Sequence, residues 1–187
     1  MNFVEYTENK IEHYIKSGNL RILIIGAGYK LKSSNSVIQH DPTKDIADWI
    51  CEYRSSENFE PFDVIIASRV LEHIEARKID WYICCMYSIL DPKGILHCVV
   101  PDMSEVVEKL KEEFTYPRKD LFKINRLHFE LFSEGPNIWD RHSCWMDKNS
   151  IQYYLETEGL FKVQSINKIR IDSNIVPNEM EVIAERI

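Results

Sequence analysis

Residues Arg21–Gly28 read RILIIGAG, and this stretch decides the fold class. A continuous apolar run of this length is typical of a strand that is buried on both faces, as the strands of parallel sheets are. The glycines at its end permit backbone conformations that other residues avoid, and they let the main chain come close to a ligand. The stretch therefore predicts an internal parallel strand that ends in a tight loop.

Other segments of the chain alternate between strand-like and helix-like patterns. The strand patterns lie at Ser36–His40, Phe62–Ala67 and Ile95–Val100, with a weak one near Asp45–Ala47 and a closing antiparallel pair at Leu160–Ile171 and Glu179–Ile187. The helical patterns lie at Tyr6–Ser17, at Val70–Leu90 (stopped by Asp91–Gly94), at Met103–Phe114 (capped by Asp102) and at Lys148–Glu158. This alternation predicts an α/β fold, a Rossmann-like three-layer sandwich whose sheet is mostly parallel with an antiparallel C-terminal strand.

The connection after the first strand is unusually short. Ten residues separate Ile25 from Ser36, whereas a helical crossover between parallel strands usually needs at least about 10–12. We therefore expect a shortened first crossover without a full helix. No repeat or linker interrupts the chain, so residues 1–187 are predicted to form a single domain. Within it, the aromatic and histidine-rich stretch 115–147 is expected to be an insertion or lid.

Composition excludes several classes of function. Lys and Arg number 23 and Asp and Glu 30, giving a net charge of −7, so bulk binding of nucleic acid phosphates is not expected. No apolar run approaches the length of a membrane span, and the N-terminal residues do not resemble a signal peptide. The five cysteines form no CxxC pair, which favours reduced thiols and a cytoplasmic location.

The glycine loop also argues against two common nucleotide sites. A dinucleotide-binding loop needs a third glycine, and Leu31 stands at that position. The phosphate-loop pattern is absent as well, so neither NAD nor a nucleoside triphosphate is predicted as the ligand.

Four segments taken together resemble a known family. ILIIGAG (22–28), Asp41 after the next strand, FDVIIASRVLEHI (62–74) and ILDPKGILHCVVPD (89–102) follow one another as in class I S-adenosylmethionine (SAM)-dependent methyltransferases. The resemblance is greatest to a compact group with LEH and VPD motifs, and it extends through HSCWMDKNSIQYYLETEGLFKV (142–163). Lys93, where a glycine is commoner, is one departure from the pattern; unless the turn there avoids positive φ, the lysine is expected to be strained.

The resemblance implies SAM as cofactor and S-adenosylhomocysteine (SAH) as product. It assigns the loop of Gly26, Ala27 and Gly28 to the methionyl end of the cofactor. Asp41 would accept hydrogen bonds from the ribose hydroxyls. Asp48 with either Trp49 or Ile50 could face the adenine, and Ser68 and Arg69 would line the methionine portion near the sulfonium.

Catalysis of methyl transfer needs a base only when the acceptor must lose a proton. The candidates are His142, His128 and Asp102, and we expect Trp139, His142 and Trp145 to face inward around the acceptor. Glu72 and His73 are interpreted as structural, the glutamate favoured by the dipole of the helix that it begins.

A zinc set of His128, His142 and Cys144 matches no standard ligand spacing, so no metal site is predicted. The expected activity is methyl transfer to a small-molecule, glycan or protein acceptor. The alternative is an inactive methyltransferase-like domain that serves as a binding or interaction module.

Overall fold

A computed structural model of the chain describes residues 3–26, 36–40, 45–114, 142–170 and 179–187. Its helices are α1 (Phe3–Ser17), α2 (Ile46–Arg54), α3 (Ile79–Ser88), α4 (Met103–Phe114) and α5 (Lys148–Glu156). Its strands are β1 (Ile22–Ile25), β2 (Val37–Gln39), β3 (Phe62–Ser68), β4 (Leu90–Pro101), β5 (Phe161–Ile169) and β6 (Glu179–Arg186). Short 3₁₀ turns occupy Leu71–His73, Ala76–Lys78 and Thr157–Gly159.

The strands form one sheet in the order β2-β1-β3-β4-β6-β5. The first four are parallel to one another, whereas β6 is antiparallel to both β4 and β5. This confirms the predicted Rossmann-like sandwich and its antiparallel C-terminal pair. The strand order reverses between β1 and β3, and in open sheets of this kind that switch point opens a crevice at the carboxyl ends of the strands.

Helices cover both faces of the sheet. On one face, Ile11 of α1 packs with Ile24 of β1 and Ile66 of β3. On the other, α2, α3 and α5 contribute to a larger core, for example through Ile50 and Ile83. All four residues of β1 are buried, as the apolar run predicted for an internal strand.

The weak strand predicted near Asp45–Ala47 is wrong, because α2 begins there. The Asp45 carboxylate accepts hydrogen bonds from the backbone amides of Ala47 (2.9 Å) and Asp48 (3.3 Å) and so caps the helix. Ala47 and Ile50 are buried against the sheet, so a helical face and its cap outweigh the short apolar pattern.

The single helix predicted over Val70–Leu90 is also wrong. Two 3₁₀ turns come first, Ile74 between them is extended (φ −76°, ψ 134°), and α3 begins only at Ile79. Leu90 already belongs to β4. The backbone carbonyl of Glu72 in the first turn accepts hydrogen bonds from Ser143 and Cys144, and a local sequence pattern cannot predict a contact between such distant residues.

Asp91–Gly94, predicted to stop that helix, lies inside β4. The register between β3 and β4 shifts between Phe62 and Val64, so this segment forms an irregularity in the strand. Lys93 there takes a positive φ of 66°, the strained outcome that the sequence left open.

The remaining elements match the predictions with shifts of a few residues. The helix predicted over Lys148–Glu158 ends at Glu156, where the 3₁₀ turn begins. The shortened first crossover falls on residues 27–35, outside the described residues. Within the described part of the chain, no helix has the length and apolar character to cross a membrane.

Candidate active site

The carboxyl ends of the four parallel strands meet at one edge of the sheet. Gly26, His40, Arg69 and Asp102 are the residues that follow β1, β2, β3 and β4 there. The antiparallel β6 begins at the same edge, since Glu179 is paired with Pro101. Four strands therefore end at this edge and a fifth, β6, begins there.

Gly26 lies at the switch point and can only be glycine. Its φ is +79°, and a Cβ built on it would lie 2.1 Å from Cγ2 of Val70 and 2.7 Å from the carbonyl oxygen of Ser68. The Ser68 hydroxyl is buried and has no hydrogen-bond partner among the described residues. The main chains of the predicted residues Gly26 and Ser68 are thus brought together, and with Val70 they form a narrow cradle.

Arg69 continues the edge of β3 and is held in place by two contacts. Its backbone amide donates to the carbonyl of Val99 (2.8 Å), and its guanidinium forms an ion pair with the buried carboxylate of Glu179. The sequence did not identify Glu179, which lies 110 residues away along the chain. The pair leaves little net charge at this point, which suits a site for a cationic sulfonium.

Asp102, predicted as a possible base, is engaged in structural contacts. Its carboxylate accepts hydrogen bonds from the Ser104 hydroxyl (2.5 Å) and the Glu105 amide (3.4 Å), as the predicted cap of α4 should. Lys168 lies 2.9 Å from its other oxygen, and the hydrogen bond to Asp102 raises the pKa of this lysine.

Asp48 and Trp49 occupy the first turn of α2. Asp48 is exposed. Trp49 is half-buried, stacks on Tyr53 (5.3 Å between ring centroids) and meets the ring of His40 edge-on at 5.6 Å. An aromatic surface therefore stands next to the end of β2.

A second group of residues gathers just beyond β3. Glu72 is fully buried, and its side chain lies near the imidazoles of His73 and His142. The two histidine rings meet edge-on with centroids 5.0 Å apart. The helix dipole that the sequence invoked for Glu72 does not apply, because the turn that carries it is a single 3₁₀ turn of three residues.

Residues 142–146 are fastened to this edge of the sheet through the backbone. The amides of Ser143 and Cys144 both donate to the carbonyl oxygen of Glu72, at 2.6 and 3.1 Å, and the amide of Met103 donates to the carbonyl of Met146 at 2.9 Å. His142 is half-buried here. Trp145, expected to face inward, is 47% exposed and donates its indole N–H to Asp147, so that expectation is wrong.

Two buried thiols lie near Glu72. Burial, reinforced by the negative charge of Glu72, raises the pKa of Cys98. Burial also raises the pKa of Cys144, whose sulfur lies 3.7 Å from the Tyr154 hydroxyl. Both thiols are therefore protonated at neutral pH and serve as packing groups.

Sequence reasoning singled out Glu72 and His73 but interpreted them as structural, and it did not place them beside His142. A signal was present, because two adjacent chemistry-bearing residues lie a few positions after the end of a strand, near the carboxyl edge. The predicted residues Ala27, Gly28, Asp41, His128 and Trp139 lie outside the described residues.

The sheet order is that of the class I SAM-dependent methyltransferase fold, which several solved structures share. Among solved structures of this fold is N-methyltransferase NodS from Bradyrhizobium japonicum WM9 in complex with SAH. It is 12% identical, over 99% of this chain and 88% of NodS, with a TM-score of 0.55.

Two further enzymes share the fold. Magnesium protoporphyrin IX methyltransferase (ChlM) from Synechocystis PCC 6803, with bound SAH, is 13% identical over 98% of this chain and 83% of its own, with a TM-score of 0.57. The 1,6-didemethyltoxoflavin-N1-methyltransferase of Burkholderia thailandensis, with bound 1,6-didemethyltoxoflavin and SAH, is 12% identical over 99% and 79%, with a TM-score of 0.58.

At this level of identity the similarity confirms the predicted class I methyltransferase fold. No protein-family profile matches the chain, and no curated protein sequence matches it significantly.

Proposed function

We propose that the chain is a SAM-dependent methyltransferase that acts on a small-molecule acceptor. The observation that carries this proposal is the cradle at the switch point, where Gly26 with its positive φ stands against the main-chain carbonyl of Ser68, a residue whose buried hydroxyl has no hydrogen-bond partner among the described residues. Bound SAM supplies a methyl group already activated on a sulfonium, so the protein has to bind, orient and exclude water rather than activate the donor.

The cofactor-binding residues of this proposal are those that the resemblance assigned, namely Gly26, Ala27, Gly28, Asp41, Asp48, Trp49, Ser68 and Arg69. The buried Ser68 hydroxyl can hydrogen-bond a polar group of the ligand. The ring of Trp49 offers an apolar surface next to the end of β2. The pairing of Arg69 with Glu179 removes a positive charge that would otherwise repel the sulfonium.

The acceptor side of this proposal is formed by the segment 115–147, acting as a lid, within a single domain of residues 1–187. His142 is the favoured base or positioning group, with His128 second. Asp102 is less suited, since Ser104, Glu105 and Lys168 already occupy its carboxylate. The toxoflavin enzyme, with its small substrate bound, supports a small-molecule acceptor; glycans and proteins are the other acceptors to be tested.

Calorimetric titration with SAH tests the cofactor. We expect saturable binding, which Asp41→Ala weakens by about 10- to 150-fold, the equivalent of about 1.5–3 kcal/mol for a hydrogen bond to a charged group. Glu57→Ala, which removes an exposed carboxylate in the turn after α2, is the matched control and should bind as the parent does. Equal SAH binding by the parent and Asp41→Ala would contradict the assignment of Asp41.

Release of SAH in the presence of small-molecule extracts, glycans and proteins tests the transfer. His142→Ala should lower turnover and leave the affinity for SAH unchanged, because a group that acts on the acceptor does not hold the donor.

The alternative is a domain that binds the cofactor without transferring methyl groups. The engagement of Arg69 and Asp102 in structural ion pairs favours it. SAH binding without turnover on any acceptor class would support this alternative.

A further inference from the structure

Glu72, His73 and His142 bring one carboxylate oxygen and two imidazole nitrogens to within 4.8 Å of one another. Glu72 is fully buried, and both histidines are half-buried. A carboxylate taken out of water is costly unless it is paired with positive charge or coordinates a metal ion. The cluster therefore brings a buried carboxylate and two imidazoles, each able to ligate a metal ion, to one place.

The composition of the cluster matches a known ligand set. Two histidines and one carboxylate hold zinc in hydrolytic enzymes and other divalent transition metals in oxygenases, and they leave coordination positions open. We propose that Glu72, His73 and His142 form a binding site for a divalent transition-metal ion of the zinc type. This site departs from the sequence expectation of no metal and from the His128–His142–Cys144 set, since the Cys144 thiol is directed to Tyr154.

The distances require only small side-chain movements. Ligand atoms bound to one zinc ion at about 2.0–2.2 Å lie about 3–3.5 Å apart. The Nε2 atom of His73 is already 3.9 Å from Oε1 of Glu72, and the rings of His73 and His142 meet edge-on with their centroids 5.0 Å apart. Rotations of the histidine side chains that move their ring nitrogens by about 1–2 Å would bring the three ligand atoms to these distances.

The backbone that carries the three ligands is fixed. The carbonyl oxygen of Glu72 accepts from both Ser143 and Cys144, so the two segments that supply ligands are joined directly beside the cluster. The amide of His73 donates to the carbonyl of Val70 at 3.1 Å, which closes the 3₁₀ turn. A site held in this way loses little conformational entropy when an ion binds.

The position of the cluster suggests a role in methyl transfer. This role rests on the proposed function, whereas the proposal of metal binding does not depend on it. The cluster follows β3 by a few residues, at the edge where the cradle of Gly26 lies. An ion with open positions there could bind an oxygen atom of the acceptor and favour loss of its proton to solvent. That oxygen would then form the new C–O bond as the C–S bond of the sulfonium breaks and neutral SAH leaves. His142 would then position the acceptor through the ion and would not itself act as the base.

Zinc binding tests the site directly. The full chain, freed of metal with a chelator, is dialysed against Zn²⁺ and its bound metal is measured. We expect one ion per chain in a background of Cys51→Ser and Cys84→Ser, which removes the two exposed thiols that could bind zinc on their own. Glu72→Gln and His142→Ala should each weaken binding by more than about 100-fold, since even outer partners of metal ligands cost 10–100-fold. His13→Ala, which removes an exposed histidine of α1, is the matched control and should bind as the parent does.

Cobalt gives a second readout that does not depend on activity. Co²⁺ at this site should show the visible bands of nitrogen and oxygen ligands without a thiolate charge-transfer band, and His73→Ala, whose half-buried side chain is easily removed, should abolish them. Zinc uptake that persists in His73→Ala and His142→Ala, or no uptake by the parent, would overturn the proposal.

SAH titration of the same samples separates this inference from the proposed function. If the protein binds SAH but takes up no zinc, the metal site alone is overturned. Stoichiometric zinc without SAH binding would leave the metal site standing and contradict the cofactor assignment.

Discussion

The backbone carbonyl oxygen of Glu72 lies 2.6 Å from the backbone nitrogen of Ser143. This hydrogen bond joins the 3₁₀ turn after β3 to a segment about seventy residues further along the chain, and so brings His142 to the carboxyl edge of the sheet. Because the bond joins two main-chain atoms, the identities of the two residues do not predict it.

Replacing Ser143 with proline removes the N–H that makes this bond. We expect Ser143→Pro to lower the free energy of unfolding by about 1–3 kcal/mol, because the shorter of the two hydrogen bonds to the Glu72 carbonyl is lost and the proline ring restricts the backbone of His142. Urea unfolding measures the change. Ser143→Ala keeps the amide and removes an exposed side chain, so its effect should stay within about 0.5 kcal/mol. Equal effects of the two variants would show that the backbone bond does not stabilise the segment.

Gly26 should not tolerate a side chain. Gly26→Ala is expected to cost about 2–4 kcal/mol, because the new methyl would overlap Val70 at a position where φ is already positive. Gly159→Ala is the matched control: its φ is +66°, but nothing lies within 4 Å of the added atom, so only the backbone penalty of about 1 kcal/mol should appear.

Shortening Val70 separates the cost of the steric overlap from the backbone cost of a positive φ. Val70→Ala combined with Gly26→Ala should be less destabilised than the two single changes add up to, as measured by urea unfolding. Additive losses would show that the overlap with Val70 is not the cause.

Glu181 should make stability depend on pH in the acid range. The hydrogen bond with His97, aided by Lys10 and Tyr6 against the effect of burial, holds the pKa of Glu181 well below its usual value of 4.5. A carboxyl with a depressed pKa in the folded state adds stability above its unfolded pKa, and this stability is lost as pH falls below that value.

The test is the stability difference between the parent and Glu181→Gln. The difference should be largest at pH 5–7 and should shrink by about 2 kcal/mol between pH 5 and pH 3. Urea midpoints measured at each pH report it. Glu57→Gln, which changes an exposed carboxylate without such partners, should have urea midpoints that follow those of the parent at every pH. A stability difference between the parent and Glu181→Gln that is constant with pH would contradict the prediction.

Lys93 offers a stabilising change. It is exposed within β4 and takes a φ of 66°, which costs an L-residue with a side chain about 1–2 kcal/mol. Lys93→Gly should raise the free energy of unfolding by about 0.5–1 kcal/mol after the greater flexibility of glycine in the unfolded chain is subtracted. Thermal or urea unfolding measures the gain. Lys93→Ala keeps the strain and should change little; a gain as large as that of glycine would point to the loss of charge instead.

The sequence by itself determined the layers of this protein, because the patterns that specify them are local. The apolar run of β1 and the stretch FDVIIA of β3 mark buried strands, and the closing pair β5 and β6 is separated by too few residues for a crossover. The cap of α4 by Asp102 was predictable for the same reason, since the carboxylate and the amide that it accepts from lie three residues apart.

Tertiary structure decided the features that depend on contacts between distant residues. The two 3₁₀ turns replace a helix because the carbonyl of Glu72 is bonded to Ser143 and Cys144, and β4 begins at Leu90 because that residue pairs with Phe62. The partner of Arg69 is Glu179, and the glutamate beside His142 is Glu72; neither pairing has a signal in sequence spacing. The chemistry of each side chain can be read from the sequence. Which side chains lie close together is decided only when the sheet brings the ends of its strands to one edge.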